Sequence, residues 1–148
     1  MPELKHLLCA TDFSECSKHA YEIAAELATK LGASITLVHV YQYPIYALPD
    51  GVPPPVIPPD YEENLKKELR QRLGDFAKSV NTGMVIPALR LVEGLAPDEI
   101  VDTATEIGAD MIVIGTHGRT GLAHLLIGSV AERIVRHAGV PVLTVRSK

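Results

Sequence analysis

Short apolar runs rich in β-branched residues alternate with amphipathic segments along the whole of this 148-residue chain. The first run, "LKHLLCA" (Leu4 to Ala10), has the length and composition of a buried strand. In the segment that follows, Ala20, Ile23, Ala24, Leu27, Ala28 and Leu31 recur at three-and-four spacing. That period predicts a helix, with Ser14 as its N-cap and Gly32 at its close. "SITLVHV" (Ser34 to Val40) is a second strand. A second helix spans about Tyr61 to Val80, with Leu65, Leu69, Leu73 and Phe76 on one stripe. "MVIPALRLVEG" is a third strand, and Pro97 opens a third helix over Asp98 to Ile107. "DMIVIG" is a fourth strand, Ser129 to His137 a fourth helix, and "PVLTV" (Pro141 to Val145) a fifth strand.

Strict alternation of this kind builds a mostly parallel sheet with helices on both faces. Pro87 lies inside the predicted third strand, where it cannot donate to a ladder, so that strand belongs at an edge. The fourth strand is apolar on both faces and belongs inside. With right-handed crossovers the five strands take the order 3-2-1-4-5. The winding then reverses between strands 1 and 4, and such sheets hold ligands beyond the strand ends at that reversal. Two segments face it, "ATDFS" after strand 1 and "GTHGRTG" after strand 4.

Between strand 2 and helix 2 the alternation is interrupted. Seven prolines lie between Pro44 and Pro59, which forbids a helix and predicts a stiff, exposed excursion over residues 41–60. It reads as a loop over the strand ends, or as a proline-rich partner site. With this loop included, the chain fits one domain over residues 1–148. A formal charge of -4 argues against a general nucleic-acid binder. No apolar stretch nears the roughly 20 residues that span a bilayer. The N-terminus lacks a secretory layout, so no membrane partner and a cytoplasmic location are expected. Cys9 and Cys16 have neither metal-ligand nor redox spacing, and Cys9 reads as a reduced core thiol.

The chemistry concentrates in "GTHGRTGLAHLLIGS" (Gly115 to Ser129). Gly115 permits a sharp exit from strand 4, and Gly118 and Gly121 let the backbone approach a ligand closely. Gly128-Ser129 opens a helix whose leading amides and positive dipole end suit an anion. No Asp or Glu occurs from Met111 to Ala131, while His117, Arg119 and His124 do. That pattern suits a phosphate; alternatively the glycines only shape a loop and Ser129 only caps a helix. Asp12, beside strand 1, would repel a triphosphate but could accept from ribose hydroxyls, coordinate a metal, or simply close a turn. The phosphate loop G-x-x-x-x-G-K-[ST] is missing, as are the dinucleotide fingerprint after strand 1 and the G-x-S-x-G elbow.

Gly115-x2-Gly118-x9-Gly128-Ser129 resembles the G-x2-G-x9-G-[ST] signature of the universal stress protein family in its ATP-binding branch. The resemblance runs through "ATDFSECS", "ITLVHV", "GADMIVIGTHGRTG" and "SVAERIVRHAGVPVLTV", essentially the whole chain. It implies a Rossmann-like sandwich and a site for ATP, with Mg²⁺ or Mn²⁺ held among the phosphates. Asp12 would bind the ribose hydroxyls, with Ala10 and Thr11 lining the same pocket. Val40 would meet the adenine edge through its backbone, and Ile114 and Gly115 would support the ribose and α-phosphate. Gly118, Gly128, Ser129 and Val130 would supply donors to the phosphates. The resemblance also implies a homodimer through the final strand, which fits "PVLTV" as an edge in need of a partner.

Other residues carry two readings each. Arg119 touches a γ-phosphate or is a solvated loop charge, and His117 is a phosphate neighbour or a solvated histidine. His117 and His124 have no third metal ligand near them in sequence, so no metal site is assigned to them. His39 reads as a structural residue of strand 2. No carboxylate in the glycine segment is an evident general base. The functional expectation is an ATP-binding, nucleotide-sensing regulator of stress response with little or no turnover. Two alternatives stand beside it: a slow Mg- or Mn-dependent ATPase or nucleotide-transfer enzyme on the same site, and a dimeric interaction protein without nucleotide.

Overall fold

The computed structural model describes residues 3–44, 48–80, 82–83, 85–117 and 127–147. Within them β1 (His6–Ala10) leads to α1 (Glu15–Leu31), and β2 (Ser34–Tyr41) to α2 (Tyr61–Lys78). Then come β3 (Ala88–Glu93), α3 (Ala96–Glu106), β4 (Met111–Gly115), α4 (Ser129–His137) and β5 (Val142–Val145). The strands form one sheet in the order β3-β2-β1-β4-β5. Every neighbouring pair is parallel, with Leu7 opposite both Ile35 and Met111.

Side chains alternate across a strand, so each strand feeds two cores. Leu7, Cys9, Ile35, Leu37 and Val113 pack with Ala20, Tyr21, Ala24 and Ala28 of α1 and Leu73 of α2. On the opposite face Leu8, Ala10, Val38, Ile112 and Ile114 meet Ile100 and Ala104 of α3 and Ala131 and Ile134 of α4. The alanine-rich stripe of α1 lets that helix sit close against the central strands. Its ends form as the sequence predicts. Ser14 accepts from the Ser17 amide, and Gly32 closes the helix at φ 66°.

The proline positions need correction. Pro87 is not inside β3; the ladder begins at Ala88, the first residue after it that can donate, opposite Thr36. The strand is still an edge. Pro97 is the second residue of α3 rather than its opening, since the helix starts at Ala96 behind an extended Leu95. An amide at either position lacks an intrahelical acceptor, so proline is tolerated at both. In the proline-rich segment, residues 48–60 are exposed, as expected. Tyr41 is not part of the excursion; it is buried as the last residue of β2. Of the described residues, none lies in a helix long and apolar enough to cross a membrane.

Candidate functional site

β1 and β4 are neighbours, yet β1 runs on into α1 on one face and β4 into α4 on the other. Their connections part at the carboxyl ends, and a cleft of about 360 Å³ opens there. Its floor is Ala10, Val38 and Ile114, and its far wall is Ile100 and Ala131. The volume falls within the roughly 300–1,000 Å³ of small-molecule sites.

One rim is the turn after β1. Thr11 is tied down by its amide, which donates to the Val38 carbonyl at 2.9 Å. Its Oγ1 lies 2.8 Å from Ser17 Oγ and accepts from the Phe13 amide at 2.9 Å. The Asp12 Oδ1 accepts from the Ser14 amide at 3.0 Å, so the turn reading of this residue is correct as far as it goes. Phe13 carries the strain of the turn. At φ 66° it is the one non-glycine residue with positive φ among those described, a conformation costly for a bulky side chain. Tertiary contacts hold it there. Its ring lies 4.3 Å from the His39 ring and 5.7 Å from that of Phe76, and the Arg72 guanidinium sits 4.5 Å from its centroid. His39 is buried, and its Nδ1 donates to the Thr11 carbonyl at 2.8 Å, so it serves the same turn.

The other rim joins β4 to α4. Gly115 is required by close approach: a Cβ there would lie 2.8 Å from Cys16 Sγ and 3.2 Å from the Cys16 backbone. Gly128 is equally constrained, since its Cβ would stand 2.8 Å from the Thr116 carbonyl oxygen, which accepts from the Gly128 amide. As the N-cap of α4, Gly128 offers no side chain to cap the leading amides. Among the described residues those amides have no side-chain cap, and they lie at the cleft at the positive end of the helix dipole. Glu132, the acid of the first turn, is paired with Arg136 at 2.8 Å, and Asp98 with Arg133 at 3.1 Å. Negative charge near the helix start is thus offset. His117 Nδ1 lies 2.8 Å from Thr116 Oγ1 on the same rim.

Ala10, Thr11, Asp12, Val40, Ile114, Gly115, His117, Gly128, Ser129 and Val130 all line this one cleft. Gly118 and Arg119, like Gly121 and His124, lie outside the described residues. Sequence reasoning missed Ser17, Val38, Ala96, Ile100, Thr116 and Ala131, which also line it. Val38 could have been found by counting two back from Val40 along the strand, and Ile100 and Ala131 from their helical stripes. Among the described residues no group of three or more His, Cys, Asp or Glu is placed to hold a metal.

A sheet wound outward from its centre in both directions defines the doubly wound α/β class, whose members take small ligands where the winding turns back. Within that class the chain belongs to the universal stress protein family, whose model matches residues 3–146. It is 34% identical over 143 residues to universal stress protein MJ0531 of Methanocaldococcus jannaschii, covering 96% of this chain and 82% of that protein. The solved structure of protein MJ0577 superposes with a TM-score of 0.76 at 26% identity, covering 99% of both chains. A universal stress protein solved in complex with cAMP matches at a TM-score of 0.69 and 24% identity, over 99% of this chain and all of that one.

Proposed function

We propose that the cleft binds ATP and that the protein is a nucleotide-sensing regulator in stress response, with little or no turnover. One observation carries the reading: the uncapped start of α4 lies on one rim, and the Asp12 turn lies on the other. The amides of Ser129 and Val130 meet the phosphates there, while Asp12 takes the ribose hydroxyls. The backbone at Val40 meets the adenine edge over the apolar floor of Ala10, Val38 and Ile114. Gly118 and Arg119 would complete the phosphate side. Support comes from the family and from a protein of the same fold that is solved with a cyclic adenine nucleotide.

Asp12 is the only carboxylate among the described lining residues, and its place at the sugar leaves no second carboxylate among them to act as a base for hydrolysis. With no side-chain cluster of metal ligands among the described residues, Mg²⁺ or Mn²⁺ would take most of its oxygen ligands from the nucleotide. Among the described residues the edge strand β5 pairs on one side only, which suits a homodimer built through Pro141 to Val145. A cytoplasmic setting, where ATP is abundant, goes with this reading. Occupancy would be signalled through the proline-rich segment or the dimer.

Calorimetry with ATP and Mg²⁺ tests the site. Binding by the wild type, lost in Gly128→Val and weakened in Asp12→Asn, is the expected result; absence of heat in the wild type removes the proposal. Sustained multiple-turnover phosphate release would replace the regulator with an ATPase. Identical proteolysis of residues 48–60 with and without ATP would remove the segment as a signal.

A further inference from the structure

Beside the cleft lies a second chamber of about 640 Å³. It is walled by residues 39–42 at the end of β2, by Gly94 and Leu95 between β3 and α3 with Ala96 and Pro97 at the start of α3, and by one stripe of α2. Asp12, Val40, Ala96 and Val130 line both spaces, so cleft and chamber meet along a seam.

The α2 stripe explains why the chamber exists. Leu73 is buried in the core, and Phe76 packs against it. Leu65 and Leu69 continue the same stripe toward the helix start. Both are half-buried, neither belongs to a core cluster, and both face the chamber. Across from them Leu95 is 53% exposed. An apolar stripe turned toward an open space is a surface that a ligand can cover. Polar groups punctuate it: Gln42, Glu68 and Arg72 also line the chamber. Arg72 is held beside the Asp12 turn by its stacking on Phe13.

We infer that cleft and chamber form one two-compartment site, whose ligand is an adenine nucleotide carrying a neutral, largely apolar second group on a ribose hydroxyl. This rests on the nucleotide reading above. With the sugar at Asp12, on the seam, a substituent on one hydroxyl passes into the chamber while the other hydroxyl stays with the carboxylate. The phosphate end points elsewhere: of the residues on that side Gly115, His117, Gly128 and Ser129 line the cleft and not the chamber, and Val130 alone stands on the seam. The adenine edge is engaged by the Val40 backbone, which leaves the sugar as the point of departure. Asp12 and Glu68 outnumber Arg72 among the charged residues that line the chamber, and that balance favours a neutral appended group over a second phosphate.

The test compares ATP with its ribose-linked N-methylanthraniloyl ester, a neutral aromatic substituent, by calorimetry on the full chain. The wild type should bind the ester at least as tightly as ATP, and the emission of the ester should rise as it leaves water. Filling the chamber with Leu69→Trp, or from one turn away with Leu65→Trp, should weaken the ester by about ten-fold or more and leave ATP within about two-fold. Thermal melting identifies which variants are folded. If ATP binds but the ester is about ten-fold weaker in the wild type, or if folded variants lose both ligands equally, the chamber is not part of the site. If neither ligand binds the wild type, the nucleotide reading itself fails and the chamber proposal falls with it.

Discussion

At Gly128 a side chain would meet the Thr116 carbonyl oxygen at 2.8 Å. Backbone cannot swing aside as a flexible side chain can. Gly128→Ala should therefore cost about 1–3 kcal/mol of stability in thermal or denaturant unfolding, besides weakening ATP. Gly115→Ala faces a softer obstacle. Trimming the sulfur with Cys16→Ala should recover part of its loss, and only part, because the Cys16 backbone stands at 3.2 Å. Tyr21 gives the opposite sign. Its hydroxyl is buried with no hydrogen-bond partner among the described residues, so Tyr21→Phe should be neutral or stabilising by about 1 kcal/mol. Cys9 is fully buried, which pushes its thiol up to about 12. The unfolded thiol ionises near 9.0, so this group favours the folded state below that pH and ceases to do so as pH rises toward 12. Thiol reagents at pH 8 should leave Cys9 unmodified until denaturant is added.

Among the elements, the start of β1 is pinned to the start of β4 by one side chain. The Asp110 carboxylate accepts from the Lys5 amide at 2.8 Å and the His6 amide at 2.9 Å, and these bonds hold its pKa below the ordinary 3.8. A carboxylate lowered on folding stabilises the native state above its unfolded value. That contribution is lost as pH falls below 3.8 through the lowered value. Asp110→Asn should thus lower stability at neutral pH and flatten the loss below pH 3.8, as read by unfolding across a pH series. Ser14→Ala, which removes the α1 cap, should cost about 1 kcal/mol at any of these pH values. Elements of this kind were plain in the sequence because their signals are local: a serine before an apolar period, a glycine after it, a β-branched run such as Ser34 to Val40. The ladder start after Pro87 was not, since proline marks where donation fails without saying how many residues later pairing begins. Nor was the left-handed backbone of Phe13, which three distant side chains enforce against its own preference. The chamber beside α2 was equally hidden. Leu65 and Leu69 have the same period as Leu73, and only the packing separates those that reach the core from those that stop short.

For the molecule as a whole, strand order and the position of the cleft followed from alternation, crossover handedness, the proline that marks β3 as an edge and the doubly apolar run that puts β4 inside. Fitting the glycines to their neighbours required coordinates. The floor of the cleft belongs to the hydrophobic interior: Ala10 and Ile114 are 5% and 7% exposed and pack in the same cluster as Leu8, Ile112 and Ile134. Shared duty of this kind restricts how descendants of this sequence can diversify. Enlarging that basin would unseat the middle of the sheet, and the turns at Phe13, Gly115 and Gly128 are pinned by their neighbours. A change of guest must therefore be written along the outer bank, at Leu65 and Leu69 of α2, where replacements leave the foundations untouched.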